Sequence, residues 1–442
     1  MELSSKGKIA IAIIITAIVV GGVAGGVTYA VLSQPEKKVD ALEIYHWWTS
    51  GGEAAAIAAL VGVFQEEYPD VAVIQSPVSG GAGFTMLGVI KSLVLAGEAP
   101  DAFQMHAGYE GVPYYDANLL EPIDDLWTAD LKNVIPDVVQ SMNKFGGHYY
   151  SMPVNIHRAN VVWYSAKLLE DNNIDPEKLT TWTAFFNACT VLHDDGGIAH
   201  PISMGQDWTA AHAFEQILAS EGIDVYEDYI NGKITSADDE DLVSALTTFK
   251  EYLGFVDTKE SPDLTWDAAT AAIINNESAF NIMGDWANGE FGPAVANYTY
   301  GVEYGTFAPP GTGDMYGLVI DCFQHPKNVA HPKNSDRWLE VVGSKAGQDA
   351  FNPLKGSISA RTDSDLSKYG AYQKAAVADF KKVPYMFPSV VHGSGAPEAF
   401  KVKLNDIMSA FVEDKDVNKA AKAITDYIKS IIDEYTVVWS LA

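Results

Sequence analysis

The spacing of hydrophobic and polar positions changes several times along the chain, and each change predicts an element. From Ile9 to Leu32 the residues are apolar, with only Thr16, Thr28 and Tyr29 as mild interruptions. As a helix, about 24 residues extend roughly 36 Å, enough to cross a hydrocarbon core of about 30 Å. The run exceeds the roughly 7–15 residues of a cleaved secretory core. Residues 1–8 are therefore expected as a leader, 9–32 as a transmembrane anchor and 33–41, polar and carrying Pro35, as a tether. Strict alternation follows in Leu42-Glu-Ile-Tyr-His-Trp-Trp48, a strand ending in two tryptophans. An alanine-rich helix is expected over Glu53–Tyr68, a strand over Val71–Ser76, a glycine loop at Ser79-Gly-Gly-Ala-Gly83, a helix to about Ala96 and a buried strand ending at His106. This βαβαβ order predicts a parallel sheet whose sites lie at the carboxyl ends of its strands. Trp47, Trp48, Gly80, Gly81, Gln104 and His106 all fall at such ends.

The stretch Tyr150–Tyr164 has a different rhythm. A short apolar strand stops at Pro153, polar Asn155, His157, Arg158 and Asn160 follow, and Val161-Val-Trp-Tyr164 resumes as a strand. Apolar strand, polar hinge and apolar strand in so short a space predict a crossing between two lobes, where clefts form. Beyond it helical segments dominate: 165–169, 181–192, 210–219, 238–253 and 267–275. The acidic cluster Asp238–Asp241 suits a helix N-terminus. Ala279–Trp286 reads as a strand and turn, and Gly317–Phe323 as one hydrophobic strand interrupted by Asp321. Asn352–Arg361 reads as a polar turn, and helices are expected to dominate the C-terminus.

Composition narrows the classes. At 442 residues the chain exceeds one compact core, and 48% apolar content is ample for two. A net charge of −29 argues against nucleic acid and against an anionic lipid surface as partners. The two cysteines, Cys189 and Cys322, sit in a predicted helix and a predicted strand and read as buried apolar residues. Metal-ligand spacing is absent from the sequence, and the glycine loop completes neither nucleotide-binding pattern, so no metal and no cofactor are expected. Asn276 and Asn297 begin glycosylation sequons.

With these pieces in place, the chain resembles the extracellular solute-binding proteins of carbohydrate ABC importers, and is most similar to their glucose/galactose-binding branch. The matching stretches are Leu42–Trp48, Ser79–Gly83, Pro100–Gly108, Pro153–Arg158, Ala279–Ala287, Gly343–Asp349, Phe351–Ile358 and Val391–Gly393. Lys6-Gly7 ahead of the apolar run resembles the leader of archaeal binding proteins, in which the helix stays attached as an anchor. The resemblance implies an α/β, two-lobed periplasmic-binding-protein-like (type II) fold with hinge strands. Lobe one would take residues 41–154 and 321–352, and lobe two 155–320 and 353–442. A sugar would lie between them. Trp47 or Trp48 and Trp266 would wall the pyranose faces; Gln104, His106, Asp321, Lys355 and His392 would bond its hydroxyls. Glu53, Gly80, Gly81, Asn155 and His157 would be secondary contacts. Flat aromatic walls suit the C–H faces of a pyranose, and charged partners suit its rim of hydroxyls.

The resulting expectation is a cell-surface receptor, not an enzyme, that captures glucose or a related aldohexose and hands it to permease subunits of an ABC transporter. Two other classes remain open on the residues alone. A secreted glycoside hydrolase would need two carboxylates about 5–10 Å apart, for which Asp285 and Asp321 are candidates. A surface protein could use the fold without transport. A buried Asp321–Lys355 ion pair is a further structural reading of those two residues.

Overall fold

Strand pairing divides the molecule. The computed structural model describes residues 40–441 apart from Asp207 and Val438. The expected leader, anchor and most of the tether lie outside the described residues; among the described residues no helix is long and apolar enough to cross a membrane. Strands β1 (Ala41–His46), β2 (Ala72–Pro77) and β3 (Ala102–His106) alternate with the helices Gly51–Glu67 and Phe84–Ala96. They pair in parallel, as the βαβαβ rhythm predicts. After a two-stranded hairpin, β4 (Lys144–Phe145) and β5 (His148–Tyr149), the chain enters β6 (Ser151–Pro153) and then β7 (His157–Arg158), β8 (Val162–Ser165), β9 (Phe280–Ile282) and β10 (Tyr304–Phe307). The last strands are β11 (Met315–Val319), β12 (Asp321–Gln324) and β13 (Tyr385–Pro388). The largest sheet has the order β2-β1-β3-β12-β6, and two three-stranded sheets have the orders β10-β8-β9 and β13-β11-β7.

The chain passes between these sheets where the polar hinge predicted it. β6 belongs to the five-stranded sheet and β7 to the β11 sheet, with only Val154–Ile156 between them. A second passage separates β11 from β12 at the single residue Ile320. The one strand expected over Gly317–Phe323 is therefore two, in different sheets. Asp321 breaks it: its backbone N–H donates to Asn155 Oδ1 at 2.9 Å, and its carbonyl accepts from Val154 N–H at 2.9 Å. A third passage follows the helix Lys345–Lys355, where Ile358 bridges Ile156. The polar turn expected from Asn352 is helical to Lys355, so a lobe boundary after Asn352 falls inside the helix. The chain turns instead at Gly356, in the left-handed region at φ 96°.

The helix Gly51–Glu67 packs on Lys345–Lys355 and Pro332–Gly343 against the five-stranded sheet. On the other side, Trp208–Ala219, Glu240–Tyr252, Glu398–Asp414 and Val417–Ser430 pack together. The acidic cluster caps as expected: Asp239 accepts from Leu242 N–H, with Glu240 and Asp241 in the first turn. Cys189 and Cys322 are free and buried, and burial pushes both thiols up in pKa. Of the sequon asparagines, Asn297 is exposed, and Asn276 is half-buried and accepts from Ser165 Oγ.

Candidate functional site

The carboxyl ends of β1, β2 and β3 face one cavity of about 450 Å³. Trp47 and Trp48 reach it from the end of β1, Gly80 and Gly81 from the loop after β2, and His106 from β3. Glu53 comes from the first turn of the following helix. The facing wall carries His157 from β7, His392 from the loop after β13, and Trp266, the first residue of the helix Trp266–Ile274 capped by Thr265. Asp321 and Lys355 enter at the passages. Gln104 and Asn155, expected as sugar contacts, are fully buried behind this wall and hold Asp321 instead. Trp48 is largely core, its ring between Phe323 and Phe351 at 5.8 and 4.7 Å, whereas Trp47 lies against the His106 ring at 4.9 Å.

Asp321 is the most heavily bonded carboxylate in the cavity. Gln104 Nε2 donates to Oδ1 at 3.0 Å, and Asn155 Nδ2 and His157 Nε2 meet Oδ2 at 2.7 and 3.1 Å. Burial alone would raise its pKa; the hydrogen bond and charge of His157, with His106 and Lys355, hold the carboxyl well below the usual range. Gln104 also accepts the Trp47 N–H at 3.0 Å, so one amide ties the tryptophan to the carboxylate. His157 bridges two acids, because its Nδ1 bonds Asp285. Burial and Lys355 disfavour its charged form, but Asp285 and the hydrogen bonds to both acids carry its pKa above the ordinary value. Lys355 does not pair with Asp321: its Nζ meets Glu53 Oε1 at 2.9 Å. Apart from Asp285 Oδ2, which is buried without a partner, the atoms of this cluster are bonded to one another; a buried network of this kind is rigid, and its polar groups are preset for a ligand.

Four contributors escaped the sequence reading. Glu110 accepts from His106 N–H at 2.7 Å and pairs with Lys401 at 2.6 Å. Burial opposes ionisation, yet Lys401 and His106 bring its pKa down to about 2. Glu215 anchors the His392 loop, accepting from Ser389 Oγ, Val390 N–H and Tyr226 OH at 2.6, 2.6 and 2.9 Å. Trp208 and Trp286 line the cavity and pack on the His392 ring at 5.4 and 4.7 Å. Only Trp286 carried a signal, a glycine two residues before it: a Cβ on Gly284 would stand 2.2 Å from its ring. The glycine loop also finds its reason here, since a Cβ on Gly83 would stand 2.8 Å from Trp47. His392 itself is held neutral by burial first, then by its neighbours His212, His106 and Lys401.

A two-lobed α/β molecule with a tryptophan-walled, hydrogen-bond-edged cavity at its passages is a binding protein of the periplasmic class. The family description "Bacterial extracellular solute-binding protein" matches residues 47–349, and the chain belongs to that family. It is similar to an uncharacterized ABC transporter extracellular-binding protein of Pyrococcus horikoshii, 40% identical over 95% of this chain and 94% of that one. It also resembles the xylose/arabinose-binding protein XacG of Haloferax volcanii, 26% identical over 80% of this chain and 76% of that one. Among solved structures, the bacterial solute receptor AcbH, described with an exclusive preference for β-D-galactopyranose, superposes with a TM-score of 0.76. Its identity is 18%, covering 89% of this chain and all of that one.

Proposed function

We propose that this chain is the sugar receptor of an ABC importer, and that it captures glucose or a related aldohexose. The observation that carries the reading is the pairing, in one cavity, of indole walls from Trp47 and Trp266 with the fixed polar groups of His106, Asp321, Lys355, Glu53 and His392. A neutral pyranose needs both: C–H faces against π faces, and ionised partners for its hydroxyls. The xylose/arabinose-binding relative supports a sugar ligand. In this reading residues 41–154 and 321–355 form one lobe, 155–320 and 356–442 the other, and closure buries the sugar for presentation to the permease. The apolar run at 9–32 anchors the receptor with its cavity outside the cell. A hydrolase mechanism finds little support, because Asp285 is fully buried behind His157 and every close partner of Asp321 is already engaged.

The test uses residues 41–442, which form a compact unit of their own. Thermal melts with glucose, galactose, xylose, arabinose and maltose should show stabilisation by an aldohexose, about 2.7 kcal/mol at a hundred times its Kd. A shift with pentoses only would move the reading to another sugar, and no shift with any sugar would end it. Trp266→Ala should weaken the preferred sugar by about 1.5–3 kcal/mol and, because Trp266 packs on the core, lower the unliganded melt as well; undiminished affinity of the folded variant, read by calorimetry, would remove Trp266 from the wall.

A further inference from the structure

Two seams adjoin the cavity, at each of which a glycine meets the opposite side without room for a methyl group. At the first, a Cβ on Gly52 would stand 2.8 Å from the Gly289 Cα, and one on Gly289 would stand 3.1 Å from the Lys355 carbonyl oxygen. Gly52 N–H also donates to Glu290 Oε1 at 3.2 Å. At the second, a Cβ on Gly81 would stand 2.3 Å from Trp208 Nε1 and 2.7 Å from its Cε2. The backbone of Gly81 is not left-handed, so the indole, not the turn, is what excludes a side chain there. Ser79 nearby is exposed, and Gly80, Gly81 and Gln206 are half-exposed, which puts this seam at the rim.

The two seams differ in what could give way. The first is backbone on backbone, and no rotamer change can open it. The second is backbone on a side chain. Trp208 begins a helix, Trp208–Ala219, in which every residue is buried. Its ring is also held by His392 at 5.4 Å, His212 at 6.0 Å and Trp286 at 6.1 Å. We propose that Trp208, seated on Gly81, is the residue that limits the ligand to a single sugar ring. This rests on the sugar reading above and adds its size limit. A cavity of about 450 Å³ stands at the low end of the ~300–1,000 Å³ range of small-molecule sites. A glycosidically linked second ring that leaves past Gly81 meets Trp208, which fills that side of the cavity.

Calorimetric titration of the full chain, Trp208→Ala, Gly81→Ala and the double variant tests this, with glucose and galactose as one-ring probes and maltose and cellobiose as two-ring probes. The unmodified chain should prefer a one-ring sugar by about a hundredfold or more, ~2.7 kcal/mol. Trp208→Ala should shrink that preference to less than about tenfold by gaining the two-ring sugar. Trp208→Leu carries the same test if the alanine variant does not fold. Gly81→Ala should weaken the one-ring sugar about tenfold, and the loss should vanish in the double variant, where the methyl has space. Equal binding of one- and two-ring sugars by the unmodified chain, or a Gly81→Ala loss that persists without Trp208, overturns the gate and leaves the sugar reading intact. Failure of the unmodified chain to bind either kind overturns the sugar reading itself.

Discussion

At the residue scale, the cavity combines charged and neutral titratable groups whose protonation is set by what they touch. His212 bonds His392 at 3.2 Å, and burial brings its pKa down to about 3. An unfolded histidine takes a proton near pH ~6.5 that the folded neutral ring refuses. The stability His212 contributes is therefore complete above pH ~6.5 and drains as pH falls toward about 3. His157 acts in the opposite sense: its raised pKa gives stability that is complete below pH ~6.5 and lost as pH rises through its folded value. Glu110 gives stability that is complete above the ordinary carboxylate range and drains as pH falls toward about 2. His212→Gln should flatten the decline in stability between pH ~6.5 and ~4. Urea midpoints across that range measure it; an unchanged slope would mean His212 is already charged in the folded chain. Trp47, His106, Asp321 and His392 were legible as candidates because they stand at strand ends or in matching motifs. Gln104 and Asn155 were misplaced by the same rule, since strand position does not say whether an amide points to the cavity or to the carboxylate behind it.

At the element scale, the segment carrying His392 depends on a buried helix rather than on its own strand. β13 is only four residues long, and the loop after it hangs from Glu215, whose pKa burial raises against the pull of its donors. Glu215→Gln replaces one carboxylate oxygen by an NH₂, facing either Ser389 Oγ at Oε2 or the Val390 and Val391 N–H groups at Oε1, which should cost about 1–3 kcal/mol. It should also speed amide exchange at Val390 and Val391; exchange as slow as in the parent would show that β13 alone holds the loop. β13 itself escaped the sequence reading, lying in a region whose composition favours helix. The β11–β12 split escaped it for another reason: two strands joined by one residue read as one run, and only their partners place them in different sheets.

At the scale of the whole molecule, the net charge of −29 is the dominant long-range term. Like charges repel in the compact state, and salt shortens their reach from about 30 Å at 0.01 M to about 8 Å at 0.15 M. The melting temperature of residues 41–442 should therefore rise over that range of sodium chloride. A fall would mean that attractive surface pairs, such as Lys419–Asp414 and Lys422–Asp426, outweigh the repulsion.

The sequence by itself determined the periodic elements, the parallel βαβαβ sheet, the first passage at Pro153–His157 and the buried state of both cysteines. These depend on local alternation, glycine and proline, and apolar content, all of which act over a few residues. The tertiary structure alone decided which groups share the cavity: that Lys355 pairs with Glu53 rather than Asp321, that His157 lies between Asp285 and Asp321, and that Trp208 rests on Gly81. Each of these joins residues far apart in the chain, and neither spacing nor periodicity records which distant side chain will occupy the other side of a contact.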